Sequence, residues 1–277
     1  MRKFKLQNAL GESFDLMRRD AYFQSPEGLG VEYSNRYARV GTNFIPTQNE
    51  IAQGSISGEM WFKGYAQYTE FRKHIAKQPL KLLYTINDTT YTIDCRIGSL
   101  EKAEISNRTG LLQCAIDFDC TSLWYIRRKP EWTAAVDVVG GKVYSYQYDY
   151  TYREALANQI RETNYSDMES PAIITIYGPV VDPEWRILVN GKAVSSGALT
   201  ATISSGHKLV INSVDDQLEI AEYDADGTYL RDLYQTVDFD KTNFMYLPSG
   251  NCVMTFQSGD GSNVSASLEL LELYETV

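Results

Sequence analysis

Apolar and polar positions follow two different periods between Gln53 and Tyr125. An early stripe recurs every three to four residues, the period of one helix face, at Tyr65, Tyr68, Phe71, Arg72 and Ile75. This spacing predicts a helix over 65–75, preceded by a strand that contains Met60-Trp61-Phe62. Because a proline cannot comfortably continue a helix, we expect this one to end before Pro79.

After Pro79 the pattern changes to alternation, broken only at Leu83 in the first segment, which is typical of β-strands with one buried face. Segments 80–86 and 91–97 alternate in this way and are separated by the turn-forming pair Asn87-Asp88. The clearest alternation places five residues on one side of a strand, namely Leu112, Cys114, Ile116, Phe118 and Cys120. These segments predict an antiparallel sheet built from hairpins.

The same alternation assigns the cysteines to the core. Cys95, Cys114 and Cys120 occupy inward positions among apolar residues, and Cys252 lies in a similar apolar segment. A zinc site usually shows close pairs such as C-x-x-C, and this chain has none. We therefore expect reduced, buried thiols that pack as small apolar side chains.

The second half of the chain predicts a β-sandwich of short strands. Its strongest signal is Asn190-Gly191 after the strand-like run 182–189, since Asn-Gly favours a tight hairpin. Further strand-like runs lie at 208–211, 218–223, 252–256 and 265–274. Asp224-Ala225-Asp226-Gly227 resembles part of a calcium loop but lacks the later acidic ligands, so it is interpreted as a turn. Short strands at regular spacing are typical of a sandwich.

Charge divides the chain into two parts. Residues 1–130 contain 18 basic and 14 acidic residues, whereas residues 131–277 contain 8 and 22. This step predicts two domains, 1–130 and 131–277, with different surroundings. The basic cluster Arg127-Arg128-Lys129 at the boundary is interpreted as a solvated linker, because no nucleic-acid-binding motif accompanies it.

Targeting signals and catalytic motifs are not found in the sequence. No apolar run reaches the length of a membrane span, and the basic N-terminus lacks the apolar stretch of a signal peptide, so we expect folding in a cytoplasm. The chain has two histidines, His74 and His207, and no nucleophile elbow, zinc-protease or phosphate-loop motif. A carboxylate pair for glycoside hydrolysis stays open, although nothing singles one out. We predict a non-enzyme without catalytic, cofactor or metal site.

Several stretches, in this order and spacing, resemble the distal tail proteins of long-tailed phages. In the first half these stretches are 4–16, Ser25-Pro26-Glu27-Gly28-Leu29-Gly30, 58–75, 100–105 with 110–114, and Ser122-Leu123-Trp124-Tyr125. In the second half they are Met168-Glu169-Ser170-Pro171, Gly178-Pro179, Asp182-Pro183, Asn190-Gly191 and Leu247-Pro248-Ser249-Gly250. Each motif is weak alone, and the resemblance rests on their combination along nearly the whole chain.

The resemblance implies a mainly β protein of two parts. Its N-terminal domain would be β-barrel-like or α+β, with one helix and hairpins, and would form a homo-hexameric ring. Its C-terminal domain would be a galectin-like β-sandwich. Such a ring joins the tail tube to the baseplate and the host-adsorption apparatus, so the implied partners are the tail-tube protein, hub proteins and receptor-binding proteins. The implied location is the virion tail tip.

Within the N-terminal domain, segment 31–40 is rich in tyrosine and arginine, which are favoured in interface cores. By its position in the family pattern it would be an arm that reaches a neighbouring subunit, with Tyr33, Arg36, Tyr37 and Arg39 as the candidate contact residues. A solvated hairpin is the alternative interpretation of the same segment.

Two other functions are consistent with the sequence. A carbohydrate-binding module could use aromatic residues that stack on sugars, the candidates being Trp185, Tyr229, Tyr234 and Tyr246. The equivalent hub of a phage-derived contractile bacteriocin or injection particle would have the same sequence features. Glycan binding by the monomer favours the first, and the neighbouring genes distinguish the second from a phage.

Overall fold

The computed structural model describes residues 2–102, 104–106, 108–129 and 158–277, and the chain forms two compact units. The first unit contains residues 1–126 together with Tyr274–Val277, and the second contains Arg127–Leu273. Pro130 and Glu131, at the domain boundary predicted from charge, lie outside the described residues. The assignment of separate roles to 1–130 and 131–277 therefore stays a prediction.

The first unit is built from one helix and β-hairpins. Its helix is α1 (Tyr65–Ile75). Its strands are β1 (Lys3–Gln7), β2 (Ser13–Asp15), β3 (Met17–Arg18), β4 (Ala21–Glu27), β5 (Tyr33–Val40), β6 (Asn43–Ile51), β7 (Ser55–Phe62), β8 (Leu80–Ile86), β9 (Thr89–Leu100), β10 (Leu112–Cys120) and β11 (Trp124–Arg128). Apart from β5 and β6, the strands follow the antiparallel order β2-β1-β8-β9-β10-β7-β4-β3, and β11 adds to β9.

This sheet closes on itself in a barrel-like manner through Leu16, which lies between its two end strands. The Leu16 amide donates to the carbonyl of Phe4 in β1, at 3.0 Å, and the Leu16 carbonyl accepts from the amide of Phe23 in β4, at 2.7 Å. Closure pairs backbone groups that an open sheet would leave exposed at its edges. The mainly β, barrel-like prediction is thereby confirmed for the first unit.

Alternating side chains of these strands fill one core. In β10 every second residue from Leu112 to Cys120 is buried and the residues between them are exposed, as the sequence predicts. The helix adds Phe71 and Ile75 to the same core. Cys95, Cys114 and Cys120 are buried in this core, which confirms the packing prediction. The last residues of the chain return here, where the Tyr274 ring packs edge-on against Tyr91 with 5.2 Å between centroids.

The second unit consists of packed antiparallel sheets. Its strands are β12 (Gln159–Asn164), β13 (Ser170–Tyr177), β14 (Val180–Val181), β15 (Glu184–Val189), β16 (Lys192–Ala198), β17 (Thr202–Ile203), β18 (Lys208–Asn212), β19 (Glu219–Tyr223), β20 (Tyr229–Asp232), β21 (Tyr246–Leu247), β22 (Gly250–Gln257) and β23 (Ser265–Tyr274). One sheet runs β20-β19-β18-β13-β23 and another runs β12-β22-β15-β16. Both sheets contribute to one core, so the sandwich prediction is confirmed.

Trp185 is the largest side chain fully buried in that core. Its indole lies against Gly197, its cross-strand partner, where an added Cβ would come within 2.3 Å of the ring. The indole nitrogen donates to the carbonyl of Asn243 at 3.0 Å. The adjoining hairpin turns at Asn190-Gly191, both with positive φ, as the Asn-Gly signal predicts.

The structure corrects the interpretation of the basic cluster. Arg128 is not part of a solvated linker, because its guanidinium pairs with Glu162 at 2.8 Å and with Glu272 at 2.7 Å. Arg127 and Lys129 both pair with Glu269, at 3.0 and 2.7 Å. These carboxylates are at most 14 % exposed, and a buried carboxylate needs such partners.

Candidate functional site

The hairpin of β5 and β6 forms a sheet of its own. Its strands pair with each other from Tyr33↔Ile51 to Val40↔Asn43, and neither strand pairs with a further described strand. Thr47 is an extra residue in β6 next to Pro46, and its hydroxyl donates to the Arg36 carbonyl at 3.1 Å. Such a bulge locally increases the twist of a ribbon. We call this hairpin, residues 33–51, the arm.

Apolar side chains are exposed on both faces of the arm. Alternation along β5 and the pairing register place Tyr37 and Phe44 on one face and Val40 and Ile45 on the other. Their exposed fractions are 58, 67, 57 and 50 %. No residue of β5 is buried, and none of the arm belongs to the core of the first unit. The arm therefore presents apolar surface that the described residues of its own chain do not cover.

A ribbon of this kind is not stabilised by its own contacts alone. Two-stranded hairpins are marginally stable in water unless they pack against another element. Among the described residues, the side-chain hydrogen bonds of the arm beyond Tyr33 stay within the arm. Exposed apolar surface combined with tyrosine and arginine is typical of protein–protein interfaces.

The sequence prediction for segment 31–40 identifies the first strand of the arm, β5, but does not include the second strand, β6. Tyr33, Tyr37 and Arg39 share one face of β5, whereas Arg36 lies on the opposite face. The exposed residues Phe44 and Ile45 lie on the return strand β6, which the sequence analysis does not single out. The Gly41-Thr42 turn between two alternating segments is a signal that could have indicated this return strand.

The base of the arm is attached to the first unit. The Tyr33 hydroxyl donates a hydrogen bond to the carboxylate of Glu275, which raises the pKa of Tyr33. Next to the base, Gln53 donates to the carbonyl of Cys120 at 3.0 Å. Gly28 approaches β7 so closely that a Cβ would lie 1.9 Å from the Ser55 carbonyl oxygen. These contacts fix the point from which the arm leaves the unit.

Both histidines form structural contacts. A ring nitrogen of His74 lies 2.9 Å from the carbonyl oxygen of Leu6. His207 lies 2.6 Å from the buried carboxylate of Glu222, which also accepts from Arg231 at 2.6 Å. Hydrogen bonds from these two side chains lower the pKa of Glu222 against the opposing effect of its burial. In the described ranges, no cluster of three or more His, Cys, Asp or Glu residues could hold a metal ion.

The structure separates the four aromatic residues that the sequence offers for sugar stacking. Trp185 is fully buried, and Tyr246 donates its hydroxyl to Asp215. Tyr229 and Tyr234 are exposed and line the same surface depression. Two of the four candidates are thus brought together, and the other two are occupied by contacts within the unit.

The turn interpretation of Asp224–Gly227 is also confirmed. The Asp224 carboxylate accepts from the Thr228 amide at 2.7 Å, and the Asp224 amide donates to the Thr228 carbonyl at 3.0 Å. These bonds close the connection between β19 and β20.

In the described ranges, no helix has the length and apolar composition required to cross a membrane.

Comparison with solved structures defines the class of fold. A chain of the phage P2 baseplate in its activated, calcium-containing conformation superposes with a TM-score of 0.65 at 17 % identity, over 100 % of both chains. The Dit protein of phage SPP1 superposes with a TM-score of 0.62 at 12 % identity, over 97 % of this chain and 98 % of that one. At these identities the likeness shows a shared fold. No curated protein matches the chain.

The family follows from the sequence of the first unit. Residues 3–121 match the family model described as distal tail protein, N-terminal domain. The first unit therefore belongs to this family, and the resemblance to phage distal tail proteins predicted from the sequence is confirmed. The matched segment includes the whole arm. Together with the two superpositions, this match supports a structural protein of the phage tail tip.

Proposed function

We propose that the protein forms a homo-hexameric ring that joins the tail tube to the baseplate and adsorption apparatus at the virion tail tip. The ring is formed by the N-terminal domain, 1–130, and each arm binds a neighbouring subunit through Tyr33, Arg36, Tyr37 and Arg39 together with Val40, Phe44 and Ile45. The galectin-like sandwich, 131–277, faces outward. Partners are the tail-tube protein, hub proteins and receptor-binding proteins, and synthesis takes place in the host cytoplasm.

The observation that carries this proposal is the arm, whose apolar residues are exposed on both faces. A surface for a single flat partner would need apolar residues on one face. Burying both faces requires a partner that encloses the ribbon, and a neighbouring copy in a closed ring can provide such a slot for each arm. The arm carries Arg36 and Arg39 against one carboxylate, Glu50, so its slot would be neutral or acidic.

The charges of the two units support ring contacts made by the first unit and an outward position for the second. The residues of the first unit include 15 basic and 15 acidic side chains, and those of the second include 11 and 21. Bringing several copies of a neutral unit together avoids the repulsion that an acidic unit would produce. The two similar structures, a phage baseplate and a Dit protein described as a paradigm of a hub adsorption apparatus, support the position at the tail tip.

Light scattering of the purified protein tests the ring. We expect a mass of about six subunits for the wild type and a monomer for Phe44→Asp/Ile45→Asp, since two buried carboxylates would disfavour the interface. Leu10→Asp is the matched control, because Leu10 is 68 % exposed in the same unit but lies outside the arm.

The comparison of the two variants decides the role of the arm. A ring that persists in the arm variant, or that is lost equally in Leu10→Asp, would contradict the proposed contact. A wild-type protein that is monomeric both in solution and in purified tail particles would overturn the ring itself.

A further inference from the structure

The second unit contains a depression that combines aromatic rings with carboxylates. It encloses about 380 Å³, within the range of small-ligand sites. It lies beside the edge strand β20 and is lined by Glu219, Ala221, Tyr229, Asp232, Tyr234 and Phe244, among others. We call these six residues the aromatic groove.

Strand register explains why the groove exists. Asp232 pairs with Ala221 and Tyr229 with Tyr223, so these side chains share one face of the sheet, and the small Ala221 leaves a hollow between them. Arg231 pairs with Glu222 and points to the opposite face, where it binds that buried carboxylate. Alternation thus turns the Arg231 side chain away from the groove.

The aromatic rings form a platform. The rings of Tyr234 and Phe244 are nearly parallel, with 6.2 Å between centroids and 21° between planes. Tyr229 stands beside them, 53 % exposed, and Tyr234 is 41 % exposed. A cage for an ammonium ligand would instead need ring faces turned toward one point. An open platform suits a flat ligand with an apolar face.

Several carboxylate and hydroxyl oxygens in the groove are available to form hydrogen bonds with a ligand. One Asp232 oxygen accepts from the Tyr234 amide at 2.8 Å, and one Glu219 oxygen accepts from the Tyr223 hydroxyl at 2.7 Å. Among the described residues, the second oxygen of each carboxylate and the hydroxyls of Tyr229 and Tyr234 make no hydrogen bond. These oxygens can accept strong hydrogen bonds from ligand hydroxyls.

We propose that the aromatic groove binds a neutral pyranose of a polysaccharide. The C–H face of the sugar packs on Tyr234 and Tyr229, and its hydroxyls donate to Glu219 and Asp232. Phosphate-bearing or acidic ligands are disfavoured, because the groove holds two carboxylates and its described lining residues include no lysine or arginine. Addition of a peptide strand to β20 is disfavoured by its short length and by the extra residue Leu230 in its pairing.

Saturation-transfer NMR with the full-length protein tests this site. The probes are cellohexaose, maltohexaose and mannohexaose, compared with oligosialic acid and tetramethylammonium. We expect transfer to at least one neutral hexasaccharide and an affinity roughly tenfold weaker in Tyr229→Ala/Tyr234→Ala, which removes both stacking rings. Tyr177→Ala is the matched control, because Tyr177 is 39 % exposed in the same unit and lies outside the groove.

Glu219→Gln and Tyr234→Phe separate binding from folding, since both preserve the shape of the side chain. Each should weaken sugar binding while leaving the thermal unfolding midpoint unchanged. No transfer to any neutral hexasaccharide, equal transfer to the double variant and wild type, or a preference for tetramethylammonium or oligosialic acid would each overturn the proposal. These outcomes do not depend on whether the protein forms a ring.

Discussion

The arm and the aromatic groove both expose large apolar side chains, but they differ in what lies behind those side chains. The arm exposes Tyr33, Tyr37, Val40, Phe44 and Ile45 on a ribbon that belongs to no core. In the groove, the exposed Tyr229 lies on β20 and the exposed Tyr234 on a short 3-10 helix (Tyr234–Thr236), and both elements adjoin the core residues Ile220 in β19 and Leu233. An unsupported ribbon suits a macromolecular partner that encloses it, whereas a supported platform suits a small ligand that needs fixed geometry.

The largest effect is expected when the arm is removed. Ser34 and Glu50 are cross-strand partners, so residues 35–49 can be replaced by an Asn-Gly turn that joins them. We expect complete loss of the ring, measured by sedimentation velocity. The free energy of unfolding of the monomer should change by less than about 1 kcal/mol, because shortening a surface connection changes little loop entropy. A large loss of monomer stability would show that the arm packs on its own unit.

Removing a buried aromatic ring should lower the stability of the unit that contains it, which removing the arm should not do. Trp185→Ala should lower the free energy of unfolding of the second unit by about 3–5 kcal/mol, because it leaves a cavity in a packed core. Phe44→Ala on the arm should change the stability of the monomer by less than about 0.5 kcal/mol. Urea unfolding followed by circular dichroism compares the two. Similar losses would contradict the distinction between supported and unsupported residues.

A smaller effect concerns the segment that carries Phe244. The Asn243 amide donates to the carbonyls of Asp238 and Lys241, at 2.8 and 3.1 Å, and its oxygen accepts from the Ala198 amide at 3.3 Å. Asn243→Ala should cost about 3 kcal/mol by leaving buried polar groups unpaired. It should also weaken sugar binding in the groove.

Asn49→Ala on the arm is the matched control, since Asn49 is exposed and has no side-chain hydrogen bond among the described residues. Its thermal unfolding midpoint should equal that of the wild type. If Asn243→Ala unfolds at the wild-type midpoint as well, the segment is not held as described.

The smallest effect concerns the thiols near the arm base. Burial raises the pKa of Cys95 to about 12 and that of Cys120 to about 11, from an ordinary value of 9.0. A raised folded-state pKa gives stability that is complete below pH 9 and is lost as the pH rises toward 11 to 12, since the unfolded thiols ionise first. Unfolding midpoints between pH 8 and 11 should fall more steeply in the wild type than in Cys95→Ala/Cys120→Ala. Equal slopes would show that the thiols do not contribute.

The local pattern of apolar and polar residues predicts many of the strands and the helix of this protein. Alternation identified β10 and its inward cysteines, the three- to four-residue spacing identified α1, and Asn190-Gly191 identified the hairpin of β15 and β16. These features depend on side-chain periodicity and turn chemistry, which neighbouring residues determine. The sequence pattern does not predict strand β13, because its nearly continuous apolar run from Pro171 to Ile176 lacks the period of a half-exposed strand.

The arm shows what local pattern cannot provide. Apolar residues on both faces of a ribbon fit a fully buried strand as well as an unsupported one, and only the tertiary structure shows that no described element covers them. The same holds for Trp185 in β15 and Tyr229 in β20, two aromatic residues in strands. Trp185 is enclosed in the sandwich core, whereas Tyr229 is exposed on a strand at the end of its sheet. Sequence period determines which residues share a face, whereas the packing of distant elements decides whether that face meets protein or solvent.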